Sequence, residues 1–237
     1  MTEKIPVVIL NGFLGSGKTT LFRNLLSQAK RKNISICAIV NDMSELDIDG
    51  ELIATTRAVE DNNRILKSIS SYILSSNVGI QKLDQAIKEL LNNKPEILII
   101  ETSGSCHPMP LIQYFKEHKK VSLTGVFILI DSQMIAQDYD FGGSLIPKMQ
   151  QNIIEGKRDT INLLVEQILF GSHIFLTKTD KINDLIEEKI SAHINQINPY
   201  ASTHSIVYGK LSIDSLFEIK GYNFFSVGRL FAELQPI

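Results

Sequence analysis

Tryptophan is absent, and only two cysteines, Cys37 and Cys106, occur in 237 residues. Two thiols cannot build a disulfide framework, nor a four-cysteine zinc site within one chain. Long apolar runs are missing as well. Stretches such as 126–130 fall far short of the roughly 20 residues that cross a bilayer. The apolar start at 5–10 follows one early lysine, as in a weak signal peptide, but it runs straight into a glycine motif and so reads as a buried strand. Charge of one sign is not in excess: 24 basic against 26 acidic residues give a net charge of −2. That excludes the basic footprint of a general nucleic-acid binder. There is no internal repeat, low-complexity tract or long Pro/Gly/Ser linker. Together these absences predict a cytoplasmic protein with neither a membrane nor a nucleic acid as partner. A chain of this length can bury roughly 70–75% of its unfolded surface, so a single domain over 1–237 needs no staple.

What is present is alternation. Short β-branched runs at 5–10, 34–40, 97–100, 126–130 and 174–176 read as strands, with a weaker one at 204–207. Their near-continuous apolar character suits strands covered on both faces. Between them lie helical patterns. Ile80, Leu83, Ile87, Leu90 and Leu91 share a face, as do Ile161, Leu164, Val165, Ile168 and Leu169. Ile182, Leu185, Ile186, Ile190, Ile194 and Ile197 repeat the pattern. The expected fold is α/β: a single doubly wound, mostly parallel sheet with helices on both faces. Residues 42–73 are less regular and predict a loop with a short strand or hairpin.

Gly12-Phe13-Leu14-Gly15-Ser16-Gly17-Lys18-Thr19 fits G-x-x-x-x-G-K-[ST] between a strand and the helical run 21–26. Gly12, Gly15, Ser16 and Gly17 let backbone N–H groups curl around phosphate oxygens, and the following helix N-terminus adds partial positive charge. Lys18 would bridge the β- and γ-phosphates, and Thr19 would ligate Mg²⁺, with Thr20 completing the motif. Far downstream, Thr177-Lys178-Thr179-Asp180 ends a late strand. A carboxylate there accepts hydrogen bonds from guanine N1–H and the 2-amino group, which adenine cannot offer, while the Lys178 stem can lie across a purine. Asp180 could equally cap the next helix. Between the two motifs, Glu101 and Gly104 follow an apolar strand. A carboxylate there can hold Mg²⁺ through water, and a glycine N–H can meet the γ-phosphate.

On these residues the sequence resembles the CobW-type P-loop GTPases, relatives of the hydrogenase and urease nickel-insertion GTPases. Gly12 to Thr20 resembles the family's GFLGxGKTT. Val40-Asn-Asp-Met-Ser-Glu-Leu-Asp-Ile-Asp49 resembles its first switch. Ile100-Glu-Thr-Ser-Gly-Ser-Cys-His-Pro108 resembles its I-E-T-[TS]-G-x-x-x-P, and Glu166-Gln167 with Phe170 and 177–180 resembles E-Q-x-x-x-A-D…NKxD. Thr177 stands where the family usually has Asn. The family's Gly-Cys-x-Cys-Cys motif has no counterpart in 71–79, which contains no cysteine. Most members also carry a C-terminal domain, often with histidines, beyond the matched region. The thiolate metal site is therefore not carried over.

The resemblance implies a GTP/GDP switch that assists metal or metal-cofactor insertion into a client metalloprotein or cofactor-dependent enzyme. It points to Asn41, Asp42, Glu45 and Asp49 as first-switch residues. Asp47 shares the acidic loop, and Asp49 is the expected contact to Mg²⁺ or its water. Lys18, Glu101 and Asp49 are the expected catalytic set. The six arginines are scattered and none lies in the P-loop, so intrinsic hydrolysis should be slow. Cys106-His107 directly follows the second switch. Thiolate and imidazole suit Zn²⁺, Ni²⁺ or Co²⁺, and a nucleotide-dependent homodimer could supply four ligands. The plainer alternative is a small buried cysteine beside a helix-preceding histidine. His118 reads as a solvated helix end, and His173, His193 and His204 as surface or capping residues. Two other functions stay open: a GTP-dependent interaction module or corrinoid-type cofactor gate without metal, and a small-molecule P-loop kinase, for which 177–180 would be idle.

Overall fold

The computed structural model describes residues 4–41 and 65–225. The acidic segment with Asp42, Glu45, Asp47 and Asp49 lies outside them. Among the described residues, seven strands form one sheet: β1 (Ile5–Asn11), β2 (Ile36–Asn41), β3 (Leu66–Ile69), β4 (Ile97–Glu101), β5 (Val121–Asp131), β6 (His173–Thr177) and β7 (Ser202–Ser205). Their order is β3-β2-β4-β1-β5-β6-β7, and every pairing is parallel. Chain order reverses around β1, which lies between β4 and β5. In open α/β sheets ligands bind at that kind of switch point, beyond the carboxyl ends of the strands.

The side-chain period of two divides the core. Val7 and Ile9 of β1 join an apolar cluster with Leu83, Ile87, Leu164 and Ile168. Val8 and Leu10 join a second cluster with Leu21, Phe22 and Leu25 of α1 (Lys18–Lys32). The sheet is thus covered on both faces, as the near-continuous apolar strands require. The other helices are α2 (Asn77–Leu90), α3 (Pro108–Glu117), α4 (Ser132–Asp138), α5 (Leu145–Ile154), α6 (Thr160–Phe170) and α7 (Asp184–Ile197). No described helix is long and apolar enough to cross a membrane.

Several elements differ from their sequence outline. β5 starts at Val121 rather than 126, because Ser122 and Thr124 interrupt the apolar run. Thr124 Oγ1 donates to the Val7 carbonyl at 3.0 Å, so a polar side chain fits inside a parallel sheet. β7 lies two residues earlier than the apolar residues of 204–207 suggested. It is a polar edge strand that hydrophobicity does not reveal. Leu185, expected on the buried face of α7, is 63% exposed, and Ile182 precedes the helix, which Asn183 caps. Helices α4 and α5 had no outline. One has only seven residues, and the other follows Gly142-Gly143 and contains Pro147. His118 caps the end of α3, where its Nδ1 accepts from the N–H groups of Lys120 and Val121.

Candidate functional site

The loop 12–17 leaves β1 at the sheet's switch point and ends in α1. Gly12 has φ +135°, and a Cβ there would meet the Leu129 carbonyl oxygen at 2.2 Å, so only glycine lets the chain pass under β5. Its N–H is held by Asn11 Oδ1. The first turn of α1 carries no acidic side chain, while Lys30, Arg31 and Lys32 occupy its last turn. The helix dipole thus presents an uncompensated positive end to the loop. Lys18 is 7% exposed, and its Nζ donates to the Gly12 and Phe13 carbonyls at 2.7 and 2.8 Å. The ammonium thereby lies over the loop, where a phosphate chain would meet it.

Glu101 ends β4, the strand beside β1. Thr19 Oγ1 donates to Glu101 Oε1 at 2.5 Å, and the carboxylate is 5% exposed. Just beyond, Thr102 is pinned to the Leu10 carbonyl through both its N–H and its hydroxyl. Gly104 then passes so close to the P-loop that a Cβ would come within 2.6 Å of Leu14 N. A cavity of about 800 Å³ lies here, lined among others by Gly15, Lys18, Thr19, Thr20, Glu101 and Gly104. The structure therefore brings together the P-loop residues, Glu101 and Gly104 that the sequence singled out.

Three buried amides hold this arrangement. Asn41, at the end of β2, donates to the Ile69 and Tyr72 carbonyls, and its Oδ1 accepts from Leu74 N and Ser103 N. Gln167 of α6 donates to the Gly104 and Cys106 carbonyls, and Asn11 also donates to Cys106 O. Gln167 and Asn11 were not read as site residues from sequence. Gln167 was marked by the Glu166-Gln167 resemblance, but its position in an apolar helical pattern did not say which loop it would meet.

At the end of β6, Thr177 Oγ1 faces the Ser16 carbonyl at 2.9 Å and the Ile130 carbonyl at 3.1 Å. Its hydroxyl thus fastens the late strand to the P-loop where the family usually has Asn. Lys178 has φ +55°, and its Nζ pairs with Asp131 Oδ2. Asp180 is exposed, in a 3-10 turn over Thr179–Lys181, and accepts a hydrogen bond from the Tyr208 hydroxyl at 3.4 Å. It does not cap α7, a role taken by Asn183.

A family model described as CobW/HypB/UreG, nucleotide-binding domain, matches residues 6–205. The chain belongs to this family. The chain is 32% identical over 241 residues to the zinc-regulated GTPase metalloprotein activator 1 of Dictyostelium discoideum, covering 92% of this chain and 50% of that protein. It is 30% identical to the zinc chaperone CobW of a Sinorhizobium species, covering 76% and 52%, and 28% identical to the zinc chaperone YjiA of Escherichia coli, covering 92% and 62%. The chain thus spans about half the length of the curated relatives it matches. Among solved structures, the LAO/AO transport system kinase aligns with a TM-score of 0.51 at 10% identity, over 98% of this chain and 61% of that one. That likeness shows the P-loop fold.

In this CobW/HypB/UreG domain the expected metal pair is split between two environments. Cys106 is fully buried in the apolar cluster, and burial pushes its thiol up to about 11. A metal ligand must be a thiolate, which that setting disfavours. The His107 side chain is 44% exposed, and its Nδ1 lies 2.8 Å from Glu166 Oε2. Arg158 reaches the other oxygen of the same carboxylate at 3.2 Å. Among the described residues no three of His, Cys, Asp and Glu are grouped to hold a metal ion. Cys37 is likewise a core residue of β2, and burial raises its thiol. His173 and His204 stack with Phe175, and His193 Nδ1 meets the Phe141 carbonyl.

Proposed function

We propose that the chain is one nucleotide-binding domain acting as a GTP-binding and GTP-hydrolysing switch. The observation that carries this reading is the contact of Thr19 Oγ1 with Glu101 Oε1 at 2.5 Å beside Lys18, at the carboxyl ends of neighbouring strands. Backbone N–H groups of 12–17 hold phosphate oxygens, and Lys18 balances charge on the β- and γ-phosphates. The Thr19 hydroxyl and Glu101 carboxylate are the hard oxygen donors that Mg²⁺ takes. Bound there, Mg²⁺ would neutralise charge on the phosphates. Gly104 N–H meets the γ-phosphate, so its presence or loss is felt by the loop that Gln167 and Asn11 grip. Asp180 reads the guanine edge. Calorimetry with GTP, GDP and ATP tests the reading, and equal affinity for GTP and ATP would overturn it.

The switch, in this proposal, assists metal insertion into a client metalloprotein. Relatives named zinc chaperone and metalloprotein activator support it, with zinc as the cargo. A second reading is a GTP-dependent interaction module that handles no metal. The core position of Cys106 and the lack of a ligand cluster among the described residues favour that alternative. Metal analysis of the purified protein with GTP and with GDP separates the two.

A further inference from the structure

The loop after β7 carries a residue with no packing role. Tyr208 is 69% exposed, yet its backbone sits at φ +53°, a region that side-chain-bearing residues enter only at a cost. The loop is nevertheless firmly held. Asn24 Nδ2 donates to the Tyr208 and Gly209 carbonyls at 2.8 and 3.1 Å. Gln28 Nε2 donates to Leu211 O at 2.7 Å and accepts from Ile213 N through its Oε1. Gly209 lies so close to α1 that a Cβ would come within 2.8 Å of Leu21 N. Both amides belong to α1, the helix that opens with Lys18 and Thr19. The backbone that carries this exposed aromatic ring is thus tied to the helix that follows the P-loop. The Tyr208 hydroxyl reaches Asp180 Oδ2, the oxygen set on which the base reading depends.

We propose that Tyr208 is a base-binding residue of the nucleotide site: its ring stacks on the purine whose edge Asp180 reads. This rests on the guanine reading of Asp180 and deepens it. The two residues divide the work. The carboxylate selects guanine by accepting two N–H groups. The ring supplies affinity from any purine face, because stacking does not depend on the edge pattern. The Tyr208 hydroxyl uses the same carboxylate, so it gives up that hydrogen bond when the base arrives. A hydrogen bond of 3.4 Å is long for an O–H donor, and little is lost in releasing it.

The test uses Tyr208→Ala and Tyr208→Phe. With the ring removed, the Kd for GTP and for GDP rises about five- to a hundredfold, while the Kd for inorganic tripolyphosphate, which has no base, stays at the wild-type value. Tyr208→Phe keeps the ring and binds GTP within about twofold of wild type. With no tryptophan and six tyrosines in the chain, nucleotide stacking is also read directly. Wild-type tyrosine emission is quenched by GTP, and that component is missing in Tyr208→Phe, which keeps the measurement informative even if Tyr208→Ala folds poorly. The proposal is overturned if Tyr208→Ala binds GTP like wild type, or if it loses tripolyphosphate to the same degree as GTP. Wild type with equal affinity for GTP and ATP would instead overturn the reading of Asp180, and the ring is then tested on either purine triphosphate by the same comparison.

Discussion

Thr19 Oγ1 and Glu101 Oε1 meet at 2.5 Å although 82 residues separate them in the chain. One opens the helix after the phosphate loop, and the other ends the neighbouring strand β4. Parallel pairing of β1 with β4 puts Leu10 opposite Glu101, which sets the carboxylate level with the start of the loop. The pair thus ties the helix after the loop to the segment that carries Thr102 to the Leu10 carbonyl and, three residues past Glu101, Gly104 to Leu14.

Glu101→Gln keeps the volume of a side chain that is 5% exposed, so the fold should tolerate it. The charge facing Thr19 is lost. GTP hydrolysis should fall on the order of a hundredfold, with nucleotide affinity much less affected. Single-turnover hydrolysis alongside calorimetry measures both. Hydrolysis at the wild-type rate would remove Glu101 from the catalytic set.

Thr177→Val is nearly isosteric and removes the hydroxyl that faces Ser16 O and Ile130 O. The one proton that these two buried carbonyls share is lost, at a cost of about 1–3 kcal/mol. Thermal unfolding should show the loss, and Thr177→Ser should recover most of it. An unchanged Tm would mean that the P-loop does not depend on this fastening.

The sheet and the phosphate loop were legible in the sequence for a physical reason. Strands covered on both faces leave continuous apolar runs, and a loop that folds around phosphate needs glycines at fixed spacing. Residues whose partners are distant in sequence left no such trace. Gln167 was marked only as part of the Glu166-Gln167 resemblance, with no partner indicated, and Tyr208 looks like any loop aromatic, until the fold brings them to Gly104 and Asp180. The polar edge strand Ser202–Ser205 was displaced in the reading because hydrophobicity reports burial, and an edge has little. Cys106-His107 allowed two readings, a metal pair or a buried cysteine beside a helix-preceding histidine. Adjacency in sequence suggested a joint role, whereas successive residues entering α3 face a core and a surface.

Asp180→Asn should weaken GTP by roughly ten- to a hundredfold and improve xanthosine triphosphate, whose 2-oxo group accepts where guanine donates. The asparagine amide can donate to that oxygen. Competition binding with the two triphosphates reads the reversal. A parallel loss for both would show that Asp180 supports the turn over Thr179–Lys181 and does not read the base.

Stability should decline on mild acidification. Burial lowers the imidazole pKa of His118, and burial with the neighbouring His204 lowers that of His173. A lowered folded-state value means that the unfolded chain takes up the proton first. The contribution is therefore fully present above the ordinary value of about 6.5 and is lost as pH falls through the lowered folded-state values. Urea unfolding between pH 7.5 and 5 should show this loss, and His118→Gln with His173→Gln should flatten it. An unchanged slope in the double variant would assign the pH dependence to other groups.

Thiol chemistry tests the separation of Cys106 from His107. A thiolate is the species that reacts with disulfide reagents and that binds zinc, and burial opposes it at both cysteines. The native protein at pH 8 should therefore react with Ellman's reagent far more slowly than in denaturant, where two thiols appear. GTP analogue and GDP should give the same slow rate if Cys106 stays in the apolar cluster with Leu111 and Ile112. In that case Cys106→Ala leaves zinc affinity at the wild-type value in both nucleotide conditions, at a modest cost in Tm from the small cavity. Fast labelling of Cys106 with the GTP analogue, together with weaker zinc binding by Cys106→Ala, would restore the Cys106-His107 pair as a nucleotide-gated metal site.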